Sequence, residues 1–212
     1  MSFVSFEFFV FSIMIFSLYF VLRQPLRWML LLVGSYLFYI VGNGNYVFIL
    51  IFSTLTDYWI ARQLVKTDHI VRRKLLVSVS LFLNLSVLFF FKYYNFFIGE
   101  VGSWANTLNI DFVPPTLNVV LPIGISFYTF QALSYTIDVY RRKIQPENNL
   151  GVFATFIVFF PQLVAGPIER ASNLLPQLTQ HFEFDEDRIV GGLRLALWGF
   201  FKKVVIADRL SC

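Results

Sequence analysis

The chain reads as an all-α, polytopic integral membrane protein with about six to seven apolar segments, some of them short, broken or re-entrant. Three observations carry that reading. Hydrophobic residues make up 57% of the 212, only 14% are charged, and 27 are phenylalanine. A soluble domain of this size and mix would expose far too much apolar surface. Apolar runs recur along the whole chain, separated by short polar connections. Lys and Arg are concentrated in every second connection.

The segments, in order, are Phe3–Leu22, Trp28–Val41, Tyr46–Ala61, Leu75–Phe91, Leu117–Tyr140, Gly151–Pro167 and Ile189–Leu210. The second and third, 14 and 16 residues long, are short for full crossings. They form either two thin spans or a re-entrant hairpin around Gly42-Asn43-Gly44-Asn45. The stretch from Gly99 to Thr116, with Asn106, Asn109, Pro114 and Pro115, reads as an external loop. Ala171 to Arg188 is polar, and Asp185, Glu186 and Asp187 suit the positive N-terminus of the helix that follows.

Arg23 and Arg27 lie in the first connection, Arg62, Lys66, Arg72, Arg73 and Lys74 in the third, and Arg141, Arg142 and Lys143 in the fifth. The second connection has no basic residue and the fourth only Lys92. Ten against one is a positive-inside signal that puts the odd connections in the cytoplasm and the N-terminus outside. Nothing basic precedes Arg23, so a removable signal peptide is not expected. Cys212, the single cysteine, permits neither a disulfide framework nor a thiolate metal cluster. No nucleic-acid module or Gly-rich phosphate loop is present, and the net charge of +4 follows from topology.

Polar groups inside the segments divide by position. Asp138 is expected to pair with Arg141 or Arg142 at helical spacing, with a functional role for an intramembrane carboxylate as the alternative. Asp57 is either a helix–helix contact or a pathway residue, and Asn84 is interhelical glue. Glu7 reaches water near the outer surface. Ser126, Tyr128, Gln131 and Ser134 spread too widely around a helix to make one stripe, so packing accounts for most of them.

The sixth segment, GVFATFIVFFPQLVAGPIER, holds the candidate site. Ten residues from Gly151 to Phe160 precede Pro161, roughly 15 Å of helix and half of a ~30 Å hydrocarbon core. Pro161 disrupts helical bonding there, and Gln162, Gly166 and Pro167 extend the irregularity. Non-helical backbone at that depth is stable only when buried in protein or lining a wet cavity. Pro161, Gln162, Gly166, Pro167 and Arg170 are therefore expected to frame a substrate tunnel or re-entrant turn.

In the last segment Arg194, Lys202, Asp208 and Arg209 fall within an arc of about 120° on a helical wheel, with Lys203 outside it. Such a helix lies at the cytoplasmic interface or turns its charged side to a polar cavity. His69 and His181 sit in polar connections, away from any nucleophile or carboxylate at catalytic spacing. No HExxH, GxSxG or paired-carboxylate arrangement occurs, so no catalytic or metal-ligating residue is assigned.

The ordered set LPIGISFYTFQALSYTIDVYR, FFPQLVAGPIER, LLPQL and GFFKKVVIADRL resembles the membrane-bound O-acyltransferase family. It is similar in particular to the bacterial branch with the alginate O-acetylation membrane protein and the D-alanine transfer protein of teichoic acids. SYLFYIVGNGNYVFILIFSTLTDYWIARQL is similar to the same branch, so the likeness runs along essentially the whole chain. The resemblance implies a multi-pass enzyme of the bacterial inner membrane that holds no bound cofactor. Its acyl donor, acetyl-CoA or an acyl carrier, is a substrate on the cytoplasmic side, and the acceptor is a hydroxyl of an extracytoplasmic polysaccharide such as alginate. Membrane lipid and extracytoplasmic polysaccharide-modification proteins are the implied partners, and nucleic acid is not one. Lys202 and Lys203 would stand near the donor's phosphates, or else serve topology and anionic lipid.

Members of the family are roughly twice as long, and the histidine that would act as general base lies beyond the KKVVIADRL-like motif. The chain is thus expected to be one membrane domain, residues 1–212, the N-terminal part of a longer acyltransferase and inactive alone. A non-catalytic membrane scaffold is the alternative, with half of a transporter or flippase behind it, because the first four segments lack the matching internal proline.

Overall fold

Gln24–Asn43 (α2) and Val47–Lys66 (α3) are each 20 residues long, about 30 Å of helix at ~1.5 Å per residue. The apolar runs Trp28–Val41 and Tyr46–Ala61 stop short of these helix ends, but helical backbone continues through the polar residues Arg27, Asn43 and Arg62. A 3₁₀ turn, Gly44–Tyr46, joins the arms, and Gly44 takes the left-handed φ of +54° that the reversal needs. The arms run in opposite senses. Asn43 Oδ1 accepts the Ile123 N–H (2.6 Å) at one end, while Trp28 lies against Gly151 and Tyr58 Oη donates to Asn148 O (2.6 Å) towards the other.

This is a computed structural model, and it describes residues 5–108, 121–163 and 166–210. Among the described residues every regular element is helical. Two stretches are long and apolar enough to cross a membrane, Gln24–Lys66 and Ile70–Lys92 (α4). Phe6–Val21 (α1) is a shorter apolar helix. The chain divides into two compact units, Arg27–Thr179 in one and the residues up to Leu26 with those from Gln180 onward in the other.

In the larger unit α3 packs against α4, against Ile125–Tyr140 (α6) and against Leu150–Val158 (α7). Leu50, Ile60 and Leu64 of α3 meet Tyr135, Phe153 and Phe156 in the buried core, and the Tyr135 and Phe153 rings approach to 4.6 Å. Polar bonds between the helices add to this apolar contact. Asp57 accepts from Ser80 Oγ (2.5 Å), Asn84 Nδ2 (2.8 Å) and Thr136 Oγ1 (3.5 Å), and Asn84 Oδ1 accepts from Ser53 Oγ (2.7 Å). One buried carboxylate therefore ties α3, α4 and α6 together. That answers the open question over Asp57 in favour of a helix–helix contact and agrees with the reading of Asn84.

Three expectations need correcting. Residues from Gly99 do not form a loop: Tyr94–Thr107 is a helix (α5). Its Ser103 and Thr107 hydroxyls bond back to the Gly99 and Ser103 carbonyls (3.1 and 2.9 Å), which hides polar groups that looked loop-like. Asn109, Pro114, Pro115 and Thr116 lie outside the described residues. Asp138 forms no ion pair among the described residues; Arg142 turns instead to Asp68. The polar stretch after Arg170 opens with a helix too. It is Ala171–Thr179 (α9), which buries Leu174, Leu175 and Leu178 against the core and packs on α7.

The smaller unit contains α1 and Glu186–Phe201 (α10). Ring contacts join Phe9 to Phe200 (5.2 Å) and Phe20 to Phe184 (5.4 Å). Asp185 caps α10 by accepting the Arg188 N–H at 3.0 Å, as the acidic run suggested. Glu7, in the first turn of α1, is exposed. After Phe201 the helix widens into a π turn, Lys202–Ala207, which shifts the register assumed by the wheel. Residues five apart are bonded in a π turn. Lys203 accordingly reaches Asp208 at 2.5 Å, although the wheel had set it apart from that residue.

Candidate functional site

In an unbroken helix the Phe160 N–H would bond to the Phe156 carbonyl, four residues back. The chain breaks between them. Phe159 leaves helical geometry (φ −50°, ψ 107°), and a single turn, Phe160–Leu163 (α8), follows α7. The cause is Pro161, which has no N–H and whose ring would collide with the carbonyl four residues before it, that of Ile157. The backbone avoids the collision two residues ahead of the proline.

Both halves of the lost bond find new partners. The Phe160 N–H donates to Ser35 Oγ of α2 (3.1 Å), and Gln131 Nε2 of α6 donates to the Phe156 carbonyl (2.6 Å). Gln131 uses its other end as well, its Oε1 accepting from Gln162 Nε2 at 2.7 Å. Ser35 and Gln131 are wholly buried, at 0% exposure, so no water substitutes for these bonds. Leaving either group unpaired at such depth would cost about 1–3 kcal/mol. Two side chains from two neighbouring helices thus latch the break open.

The latch lies near the middle of both helices that supply it. Ser35 sits in the middle of α2, and Gln131 is the seventh of the 16 residues of α6. Beyond it Leu163 comes so close to the start of α6 that a Cβ on Gly124 would stand 2.8 Å from the Leu163 carbonyl oxygen. The chain then returns. A cavity lined by Ala171, Ser172, Leu175 and Pro176 of α9 is also lined by Ile144, Gln145 and Glu147, which precede α7. Helix α9 thus packs back alongside α7 after the single turn of α8.

The expected site residues fall as follows. Pro161 is exposed on α8, and Gln162 is buried in the latch. The Gly166 N–H bonds to the Gln162 carbonyl (2.9 Å), and a Cβ on Gly166 would lie 2.5 Å from Gln162 Cα. Pro167 and Arg170 are exposed, and the Arg170 carbonyl accepts from Asn173 (2.9 Å) and Leu174 (3.1 Å) at the start of α9. The structure thus gathers Pro161, Gln162 and Gly166 at the turn and leaves Arg170 at the next helix. Lys202 and Lys203 belong to the other compact unit, Lys203 paired with Asp208 and Lys202 over the Trp198 ring at 5.5 Å. His69 and His181 are exposed.

Sequence reasoning passed over Ser35 and gave Gln131 to ordinary packing. The available signal was a requirement of accounting: a proline break in an apolar run frees one donor and one acceptor, and polar side chains of neighbouring helices must meet them.

Over 207 residues, 96% of its length, the chain is 36% identical to the probable alginate O-acetylase AlgI of Pseudomonas putida, covering 42% of that protein. It is 35% identical over the same span to the probable alginate O-acetylase AlgI of Pseudomonas aeruginosa, covering 39%. It is 31% identical over 216 residues, 88% of the chain, to the peptidoglycan O-acetyltransferase of Helicobacter pylori, again covering 39%. The chain therefore spans about two fifths of the length of these curated relatives. No family model and no solved structure matches it.

Proposed function

We propose that the chain is part of a membrane-bound O-acyltransferase and contributes to acyl transfer onto a cell-surface polysaccharide. The likeness to O-acetylases along 96% of the chain carries this reading. The chemistry is ester formation from a thioester. The acceptor hydroxyl attacks the acyl carbonyl, the carbon–sulfur bond breaks, a base takes the hydroxyl proton, and the donor leaves as a thiol. The donor, acetyl-CoA or an acyl carrier, approaches from the cytoplasm, and the acceptor is an extracytoplasmic sugar hydroxyl such as one of alginate.

Reactants on opposite faces meet only if the membrane is thinned or pierced between them. A break beside the middle of α2 and α6, latched by Gln131 and Ser35, supports a tunnel or re-entrant turn there, framed by Pro161, Gln162, Gly166, Pro167 and Arg170. Multi-pass insertion in a bacterial inner membrane is supported by the long apolar helices and by the outward aromatic surface, for example Phe48 and Phe82. The third and fifth basic connections share one end of the larger unit, where Arg73 bonds Tyr140 O and Arg142 meets Asp68. That arrangement supports a cytoplasmic assignment for this end, and the distribution of Lys and Arg among the connections favours an outer N-terminus. Lys202 and Lys203 serve the donor's phosphates in this account, and extracytoplasmic modification proteins complete the transfer.

Loss of the gene tests the proposal. Acyl esters released by mild alkali from cell-surface polysaccharide should fall severalfold in the null strain and recover on complementation. Unchanged ester content would sink the reading.

A further inference from the structure

One end of the larger unit carries a pocket that the latched break does not involve. It measures about 220 Å³ and is lined by Asp68, Arg73, Arg142 and Gln145 with Val65 and Val139. That is below the ~300–1,000 Å³ of drug-sized sites and suits a single headgroup. Polar and apolar groups share its walls.

Arg73 is buried, at 6% exposure, and no carboxylate among the described residues pairs with it. Backbone carbonyls hold it instead: Nη1 donates to Leu64 O (2.5 Å) and Thr67 O (3.5 Å), and Nη2 to Tyr140 O (2.6 Å). Leu64 lies in the last turn of α3, and Tyr140 ends α6. Two helix C-termini, with their partial negative charge, thus steady the guanidinium of a residue that lines the pocket. The Tyr140 ring, 5.4 Å from Arg73 Cζ, adds a cation–π contact.

Arg142 is seated against a backbone preference. Lys143 N–H bonds to Asp138 O (2.9 Å) and Arg142 N–H to Val139 O (3.0 Å), the pattern of a helix closed by a left-handed residue. Arg142 is that residue, with φ +59°, where glycine is the favoured choice. Its partner Asp68 is 91% exposed and Arg142 itself 66%, so the ion pair is weak and open to exchange.

We propose that this pocket binds a phosphate ester, with Arg73 and Arg142 as its two guanidinium arms and Asp68 as a carboxylate that the phosphate displaces. Guanidinium pairs match phosphate oxygens in charge and geometry. The phosphate belongs either to a nucleotide-bearing soluble donor or to a lipid headgroup. In the first case the site deepens the acyl-transfer reading and rests on it; in the second it stands apart.

The test titrates inorganic pyrophosphate into the detergent-solubilised chain. Arg142→Gly should bind about tenfold more weakly, the loss expected for one charge-assisted bond. Glycine suits the left-handed seat, so the melting temperature of this variant should hold. Asp68→Asn should bind about threefold more tightly, because a competing exposed carboxylate is gone. Lys143→Ala, which removes an equal charge outside the pocket, should change little. Displacement of pyrophosphate by coenzyme A identifies a soluble donor. Displacement by phosphatidylglycerol in nanodiscs, with phosphatidylcholine inert, identifies a headgroup. Equal binding by Arg142→Gly and the parent chain, or an equal loss in Lys143→Ala, would overturn the site. Either result leaves the polysaccharide-ester test intact.

Discussion

Gln131 is the residue on which the site turns. Its amide satisfies a freed backbone carbonyl with one end and Gln162 with the other, and it is wholly buried while doing so. Gln131→Leu keeps the volume but leaves the Phe156 carbonyl and the Gln162 amide unpaired. Thermal unfolding in detergent should register a loss of about 2–3 kcal/mol. Ser35→Ala removes the acceptor for the Phe160 N–H and a donor to the Leu31 carbonyl (2.6 Å), which is already in the helix ladder, and should lose about 1 kcal/mol. Equal, negligible losses in both would mean that the break does not depend on its latch. At this scale legibility depended on the kind of partner. Asp57 and Asn84 stood out because an ionisable or amide group in an apolar run demands a partner, and both have one. Gln131 did not stand out, because its partner is a backbone carbonyl whose availability depends on a break one helix away.

Among the elements, the proline-broken helix was the most visible in sequence, because a proline ten residues into an apolar run has few outcomes. The break nonetheless falls at Phe159, ahead of Pro161, since the ring acts on the carbonyl behind it. Helices α5 and α9 were missed. Each mixes polar with apolar residues over 14 and 9 positions, too short or too irregular for periodicity to separate helix from loop. In α9 the interior Pro176 argued further against a helix. The entry to α6 yields a prediction at this scale. Gly124 has φ +81°, and its missing Cβ leaves room for the Leu163 carbonyl. Gly124→Ala should cost about 1–3 kcal/mol and loosen α8 from α6. Proteolysis or thiol labelling near Leu163 would show the loosening, and a variant as stable and as protected as the parent would remove Gly124 from the account.

Across the whole molecule, charge was the most legible property. Of the basic connections, the third and the fifth share one end of the larger unit, with α3 and α6 both finishing there. The division into two compact units was not visible, because it joins residues before Leu26 with residues after Gln180 and no local signal spans that distance. The π turn at Lys202–Ala207 escaped for a similar reason: a wheel of fixed pitch cannot register a local widening.

If the latched break in the sixth apolar segment serves acyl transfer, disrupting the latch must lower the amount of product. The most direct test is the ester-linked acyl content of cell-surface polysaccharide in strains carrying Gln162→Leu or Gln131→Leu in the chromosomal gene, at matched membrane levels of the protein. A loss of about tenfold or more is expected, since displacing a positioned reactant by about 1 Å costs on the order of 100-fold. Full acylation by both variants, with the protein inserted at normal levels, would contradict it.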